Sequence, residues 1–130
     1  EKYNNIVLKL DIEGAEFPLF LHFSETNMKK IKQIVVEVHF PQSPLQWKAL
    51  AKINNTHYLI HYHANNNNSL IYNINHKSIP AVFECTYIRK DLLPTVCYNK
   101  EPLPTNLDSI NIPSKLDYSF NCKPWVGGPL

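Results

Sequence analysis

The chain turns at Leu8-Lys9-Leu10-Asp11-Ile12-Glu13-Gly14-Ala15-Glu16, and this stretch decides its fold. An apolar run followed by three carboxylates and a glycine predicts a buried strand over Ile6–Leu10 that ends abruptly and leads into a helix. In an open α/β sheet, ligands bind beyond the carboxyl ends of the strands, so we expect Asp11 and Glu13 at the edge where a ligand would bind. Clustered carboxylates rarely help packing, because a buried charge is costly unless it is paired. The alternative is structural: Asp11 caps the helix, and Glu13 and Glu16 favour its N-terminal end.

The chain alternates between strand and helix patterns as far as about residue 90. A short helix is predicted over Ala15–Leu21. The β-branched run Gln33–Phe40 is typical of a central parallel strand. Ser43 and Pro44 suit the N-cap and first position of a helix over Leu45–Ile53. Further strands are predicted over Tyr58–His63, Leu70–Ile74 and Ala81–Ile88.

This order of elements predicts an α/β protein. Two β-α-β crossovers give parallel strands, and an antiparallel final pair follows them. We assign residues 1–91 to this domain, which is long enough to bury one core. Residues 92–130 are rich in proline and have no periodicity, so we expect a C-terminal tail that is either ordered and wrapped around the domain or partly disordered.

Composition argues against several classes of protein. A net charge of +2 lacks the basic balance of a nucleic-acid-binding protein. No run of about 20 apolar residues is present, so we expect no membrane span, and no signal peptide opens the chain. Cys85, Cys97 and Cys122 are widely spaced, which fits neither a zinc site nor a disulfide framework. Unpaired cysteines favour a reducing compartment, and we expect a cytoplasmic location.

Two strands carry polar side chains in pairs. Side chains alternate along a strand, so Glu37 shares a face with His39, and His61 shares a face with His63. If the first two strands are parallel neighbours, Glu37 and His39 gather near Asp11 at one edge of the sheet. A carboxylate beside a histidine suits general-base catalysis, because it orients the ring and raises its basicity. The alternative is that His39 only ends its strand with a hydrogen bond and Glu37 pairs with a lysine.

The spacing His61-x-His63 also invites a metal interpretation. In barrel-type metal sites, two such histidines are usually followed by a glutamate a few residues later. Only asparagines follow here, over Asn65–Asn68. We therefore predict no metal site.

Three segments resemble FkbM-type S-adenosylmethionine-dependent methyltransferases. The first, Lys9–Glu16, resembles the K-x-D-x-E-G-x-E signature that follows the fourth strand of their class I methyltransferase fold. The second, Ile34–His39, resembles their fifth strand, which typically carries a glutamate at the position of Glu37. The third, Val82–Ile88, resembles the seventh strand. The resemblance implies that this chain is the C-terminal half of a Rossmann-like sheet.

The resemblance implies methyl transfer from S-adenosylmethionine to an oxygen, often a hydroxyl of a sugar or secondary metabolite. Asp11 and Glu13 would flank the methyl donor and the acceptor, and one of them would act as general base or position the nucleophile. We therefore expect Asp11, Glu13 and His39 to be catalytic, with Asp11 and Glu13 also binding the cofactor. On the acceptor side, the expected substrate-binding residues are Glu37, His61, His63 and Asn65.

The resemblance also implies that part of the domain lies elsewhere. In this fold S-adenosylmethionine is held by a glycine-rich first loop and by an acidic residue after the second strand, both of which would precede residue 1. We expect the chain to be a fragment that needs this N-terminal half as its partner, with a degenerate relative as the alternative. Two other hypotheses stay open: a non-catalytic binding or structural module on the same scaffold, and a small metal-dependent enzyme built on His39, His61 and His63.

Overall fold

The computed structural model describes residues 3–129. Helices and strands follow one another in this order: β1 (Ile6–Leu10), α1 (Glu16–His22), α2 (Glu25–Lys30), β2 (Ile31–His39), α3 (Pro44–Thr56), β3 (His57–Ala64), β4 (Ile71–Ile74), β5 (Lys77–Pro80) and β6 (Val82–Arg89). A short 3-10 turn over Lys90–Leu92 follows the last strand. None of the helices in this part of the chain is long and apolar enough to cross a membrane.

The main sheet has four strands in the order β1-β2-β6-β3. β1 and β2 are parallel, whereas β6 runs antiparallel to both of its neighbours, β2 and β3. β1, β2 and β3 therefore point in one direction, and the reversed last strand lies between β2 and β3. The prediction of an α/β protein is confirmed at this level: the sheet is mixed, with one parallel pair. β3 does not pair with β2 as a second parallel neighbour would, because β6 separates them.

β4 and β5 form a hairpin of their own, apart from the main sheet. The sequence analysis placed a strand over Leu70–Ile74 but did not separate β5 from the strand that follows it. The turn between β4 and β5 consists of Asn75 and His76, whose φ angles are 49° and 63°. Turns with positive φ at both central residues usually carry Asn-Gly, so a histidine in second place weakened the hairpin signal.

α3 begins where its capping residues predict. The Ser43 hydroxyl accepts a hydrogen bond from the backbone N–H of Gln46 at 3.3 Å, and Pro44 is the first helical residue. The helix continues past its predicted end at Ile53 to Thr56, where β3 starts directly. α1 has Ala15 at its N-cap, without a side-chain cap hydrogen bond.

One face of the main sheet is buried against the helices. From Ile34 to Val38 in β2, every second residue is fully buried, which matches the alternation expected of a strand with one covered face. The cluster on this face consists of side chains from β2 and from the two helices above it: Ile34, Val36, Val38, Phe17, Phe20, Ala49 and Ile53. The side chains of the intervening residues must therefore point away from the helices.

The opposite face carries a line of polar side chains across three strands. Glu37 of β2 lies opposite Glu84 of β6, and Glu84 lies opposite His63 of β3. We call these three residues the polar row. Asp11 directly follows Leu10, which pairs with Val36, so the row is continued by Asp11 at the end of β1.

The C-terminal tail contributes to the same core. Leu103 and Phe120 form an isolated bridge in which each backbone N–H donates to the other residue's C=O, at 2.9 and 2.8 Å. Both side chains are buried in the core cluster. Phe120 packs edge-on against Tyr62 and stacks on Trp125, with ring centroids 5.4 and 4.7 Å apart. The bridge closes residues 104–119 into a loop, which we call the tail loop.

Candidate functional site

The carboxyl ends of β1 and β2 bring four of the expected site residues together. Asp11 and Glu13 follow β1, and Glu37 and His39 close β2, so parallel pairing places all four at one edge. Glu13 and Gly14 have φ angles of 55° and 92°, and this left-handed turn directs the chain from β1 into α1. Oxygen atoms from the carboxylates of Asp11, Glu13 and Glu37 lie within 4.8 Å of one another.

Glu16 holds this turn against the end of β2. Its side chain is fully buried and accepts two backbone hydrogen bonds, from Gly14 at 2.8 Å and from His39 at 3.3 Å. The carboxylate thus joins two segments that are far apart in sequence. The structural alternative, in which Asp11 caps α1, differs from the arrangement observed, since Ala15 occupies the N-cap and no side chain caps the helix.

His39 lies between two carboxylates. Its Nε2 is 3.3 Å from Glu13 Oε2, and its Nδ1 is 3.5 Å from Glu16 Oε1. Glu13 is exposed, whereas Glu16 is fully buried, so one contact faces solvent and the other faces the interior. The ring therefore lies at the edge of the sheet with a carboxylate on each side, although its buried Nδ1 makes no hydrogen bond within residues 3–129.

The pKa of Glu37 departs from the ordinary value of a glutamate. Partial burial raises the pKa of Glu37 above its usual value, and the negative charges of Asp11 and Glu84 raise it further. The side-chain amide of Asn65 donates a hydrogen bond to Glu37 Oε2 at 3.1 Å, which opposes the rise in pKa. Asn65, expected on the acceptor side, thus directly contacts the site.

His61 and His63 make different contacts. His61 Nε2 lies 2.6 Å from Asp108 Oδ1, and His63 Nε2 lies 3.2 Å from Asp117 Oδ2. His63 also faces Glu84, at 3.8 Å between Nδ1 and Oε2. The sequence analysis missed both aspartates, because they lie in a proline-rich segment where no periodicity indicates which side chains face the sheet.

The three site carboxylates are also the group that a metal ion would use. Among residues 3–129, the only cluster of three or more potential ligands consists of Asp11, Glu13 and Glu37, and it contains none of the histidines. Carboxylate oxygens suit hard cations such as Mg²⁺ and Ca²⁺. Exposed acidic groups are common without an ion, so the absence of a metal site stays a prediction.

The arrangement as a whole can attract positive charge and accept a proton. The carboxylates of Asp11 and Glu13 offer negative charge for a cationic ligand, and a carboxyl with a raised pKa, such as that of Glu37, is a better base than an ordinary one. Chemistry of this kind is compatible with more than one reaction.

Compared with protein-family models, curated proteins and solved structures, the chain matches none of them.

Proposed function

We propose that this chain is the C-terminal half of a class I, FkbM-type methyltransferase domain that transfers a methyl group from S-adenosylmethionine to a hydroxyl. One observation carries the proposal: Asp11, Glu13 and Glu37 converge with His39 at the carboxyl ends of two parallel neighbouring strands. Ligands bind at this edge in open α/β sheets. Helix capping does not account for the cluster, because Ala15 is the N-cap of α1.

The strand arrangement supports the same proposal. The sequence resemblance equates β1, β2 and β6 with the fourth, fifth and seventh strands of that fold. β6 runs opposite to the other three strands and lies inside the sheet, in keeping with the reversed final strand that the order of elements predicts. A Rossmann-like sheet completed by strands beyond β1 would be the whole domain.

In the proposed reaction, S-adenosylmethionine would supply an electrophilic methyl group, whose bond to the sulfonium sulfur breaks with release of neutral S-adenosylhomocysteine. The acceptor hydroxyl, of a sugar or secondary metabolite, must lose its proton as its oxygen forms the new bond. The resemblance implies Asp11 or Glu13 as general base, but we propose Glu37 for this role, because its pKa is raised and Asn65 donates a hydrogen bond to its carboxylate at 3.1 Å. His39 and Glu13, 3.3 Å apart, would then hold the acceptor at the mouth of the site.

The residues present fit part of the cofactor. The negative charges of Asp11 and Glu13 suit the sulfonium and ammonium groups of S-adenosylmethionine. The chain has only three glycines, and the turn after β1 contains one of them, Gly14, so no glycine-rich loop for the nucleotide end is available. In this proposal the nucleotide end is held by the N-terminal half of the domain.

A non-catalytic binding module is the second candidate, and the position of β1 favours it. β1 is an edge strand that pairs only with β2 within residues 3–129. Its Ile6 and Val7 are 41 % and 59 % exposed. An edge strand with apolar side chains can add a strand from another segment or protein. In this alternative, Glu16 braces the edge and the exposed carboxylates have no chemical role.

Calorimetric titration of the product of the complete gene with S-adenosylmethionine separates the two candidates. Asp11→Asn and Glu13→Gln should each weaken binding about tenfold or more, because a hydrogen bond to a charged group contributes about 1.5–3 kcal/mol. The control is Glu25→Gln on α2, whose carboxylate pairs with Lys29 at the surface. If the complete protein binds no S-adenosylmethionine, the methyltransferase proposal is wrong and the binding module remains.

A further inference from the structure

The two ends of the tail loop are joined by the Leu103–Phe120 bridge, which we call the neck. The neck consists of the two backbone hydrogen bonds between Leu103 and Phe120, and both of these side chains are buried in the core. A compact surface loop whose ends lie this close together is an Ω loop, a class that is frequently functional. Burial of the Leu103 and Phe120 side chains in the core therefore anchors both ends of the loop.

Within the body of the tail loop, Tyr118 packs against the core, but other large apolar side chains do not. Two of its large apolar residues, Leu107 and Leu116, are 90 % and 94 % exposed. Its position over the sheet depends instead on polar contacts. Apart from the histidines, the buried Asn66 accepts from the N–H of Ile112 at 2.9 Å and donates to its C=O at 3.1 Å. Lys115 and Tyr118 donate to the backbone C=O groups of Asn67 and Asn68 at 2.8 and 2.9 Å.

Two histidines of β3 hold the loop through carboxylates. His61 lies 2.6 Å from Asp108, and His63 lies 3.2 Å from Asp117. Asp108 is also held within the loop, because its other oxygen accepts hydrogen bonds from the N–H and the hydroxyl of Thr105 at 2.6 and 2.9 Å. Partial burial acts to raise the pKa of Asp108, but the hydrogen bonds from Thr105 and His61 outweigh it and hold this pKa below its usual value.

The loop contacts two of the three residues of the polar row. Asn111 donates to Glu84 Oε1 at 3.0 Å, and Asp117 contacts His63, so both residues of the row on β6 and β3 are occupied by the loop. Glu37, at the other end of the row, belongs to the candidate site. Movement of the tail loop would therefore extend the open polar surface from the candidate site across the sheet.

We propose that residues 104–119 form a proton-sensitive lid, held closed by His61–Asp108 and His63–Asp117, which opens at the Leu103–Phe120 neck and uncovers the buried His63. This lid goes beyond the proposed methyl transfer and does not depend on it. The two histidines share one face of β3, so their contacts act on the same loop together.

Within residues 3–129, the charged groups that face these histidines are all acidic. His63 faces Glu84 of β6 and Asp117 of the loop, and His61 faces Asp108. Glu101 lines the same cavity as His61, a space of about 750 Å³ that opens this pair to water. Carboxylates bind protonated histidine more strongly than neutral histidine. The lid should therefore be closed most firmly where the histidines are protonated and the aspartates ionised.

Amide hydrogen exchange on the full chain tests the proposal. A histidine in water loses its proton at about pH 6.5, so exchange is compared at about pH 5.5 and about pH 8 after correction for intrinsic rates. Protection of residues 105–118 should fall about tenfold at the higher pH, since two charge-assisted contacts become neutral ones. Protection of Ile34–Val38 in β2 should stay constant and shows that the fold is intact.

Variants separate a proton-sensitive lid from general loosening of the chain. The pair His61→Gln and His63→Gln should abolish the pH dependence in residues 105–118. Because His63 is buried and its replacement can disturb folding, Asp108→Asn, which keeps shape and removes charge, serves as a second variant and should halve the effect on a logarithmic scale. His76→Gln, in the exposed turn of the hairpin, is the matched control and should keep the full pH dependence. Equal protection at both pH values, or a pH dependence that survives in the double variant, would overturn the lid.

Discussion

The buried carboxylate of Glu16 tests how the turn after β1 is held. In Glu16→Ala, the backbone N–H groups of Gly14 and His39 lose their acceptor. Each unsatisfied group costs about 1–3 kcal/mol, so we expect a loss of about 2–3 kcal/mol in the free energy of unfolding, measured by urea denaturation. Glu25→Ala, which removes only a surface pair with Lys29, should change it by less than about 0.5 kcal/mol. Equal values for the two variants would show that Glu16 is not a brace.

Glu37 gives a prediction about pH. Because its pKa is raised in the folded protein, folding favours its protonated form, so its ionisation costs stability as the pH rises through the raised pKa. Glu37→Gln removes this cost, and it should raise the melting temperature at about pH 7 but have little effect below about pH 4, where Glu37 is protonated. The comparison is made in buffer with a chelator. If Glu37→Gln has a lower melting temperature than the unchanged protein at about pH 7, the raised pKa of Glu37 is contradicted.

At the level of single residues, the sequence predicted what local patterns determine. Strand alternation gave the shared faces of Glu37 with His39 and of His61 with His63. The motif Leu8–Glu16 predicted that Asp11 and Glu13 lie in the turn between the first strand and the first helix. The partners of these residues could not be predicted, because Asp108 reaches His61 only through the path of the tail, and that path depends on contacts far apart in sequence.

At the level of elements, the β4–β5 hairpin gives a prediction about backbone strain. His76 has a φ of 63°, a conformation that costs a residue with a side chain about 1–2 kcal/mol relative to glycine. Glycine loses more conformational entropy on folding, so His76→Gly should stabilise the protein by about 0.5–1 kcal/mol in urea denaturation. Lys77→Gly, at the first residue of β5, should destabilise it instead. If both glycines destabilise, the turn does not have the described conformation.

The same hairpin shows why some element boundaries were predicted and others were not. α3 carries its own start signal in Ser43 and Pro44, and that signal depends on a local hydrogen bond. The turn at Asn75 and His76 has no glycine, so its residue types do not indicate its positive φ angles. Boundaries that depend on local capping were predictable, and boundaries that depend on neighbouring strands were not.

At the level of the whole molecule, the order of strands depends on long-range pairing. The sequence indicated parallel β1 and β2 and a reversed final strand, because these follow from strand and helix patterns. It did not indicate that β6 separates β2 from β3, since nothing local to β6 specifies two different partners. It also left open whether the tail is ordered, because residues such as Leu103 and Phe120 join the core without a periodic pattern.

The two tryptophans make the relation of tail and sheet measurable. Trp47 lies on α3, where it packs edge-on against Phe40, and Trp125 lies in the tail, where it stacks on Phe120. In Trp125→Phe, fluorescence reports the α/β part of the chain, and in Trp47→Phe it reports the tail. If Phe120 and Leu103 make the tail part of one core, both variants should unfold in urea in a single transition at the same midpoint as the far-ultraviolet circular dichroism signal. A tail that unfolds at a clearly lower urea concentration than α3 would show instead that residues 92–130 are a separable unit.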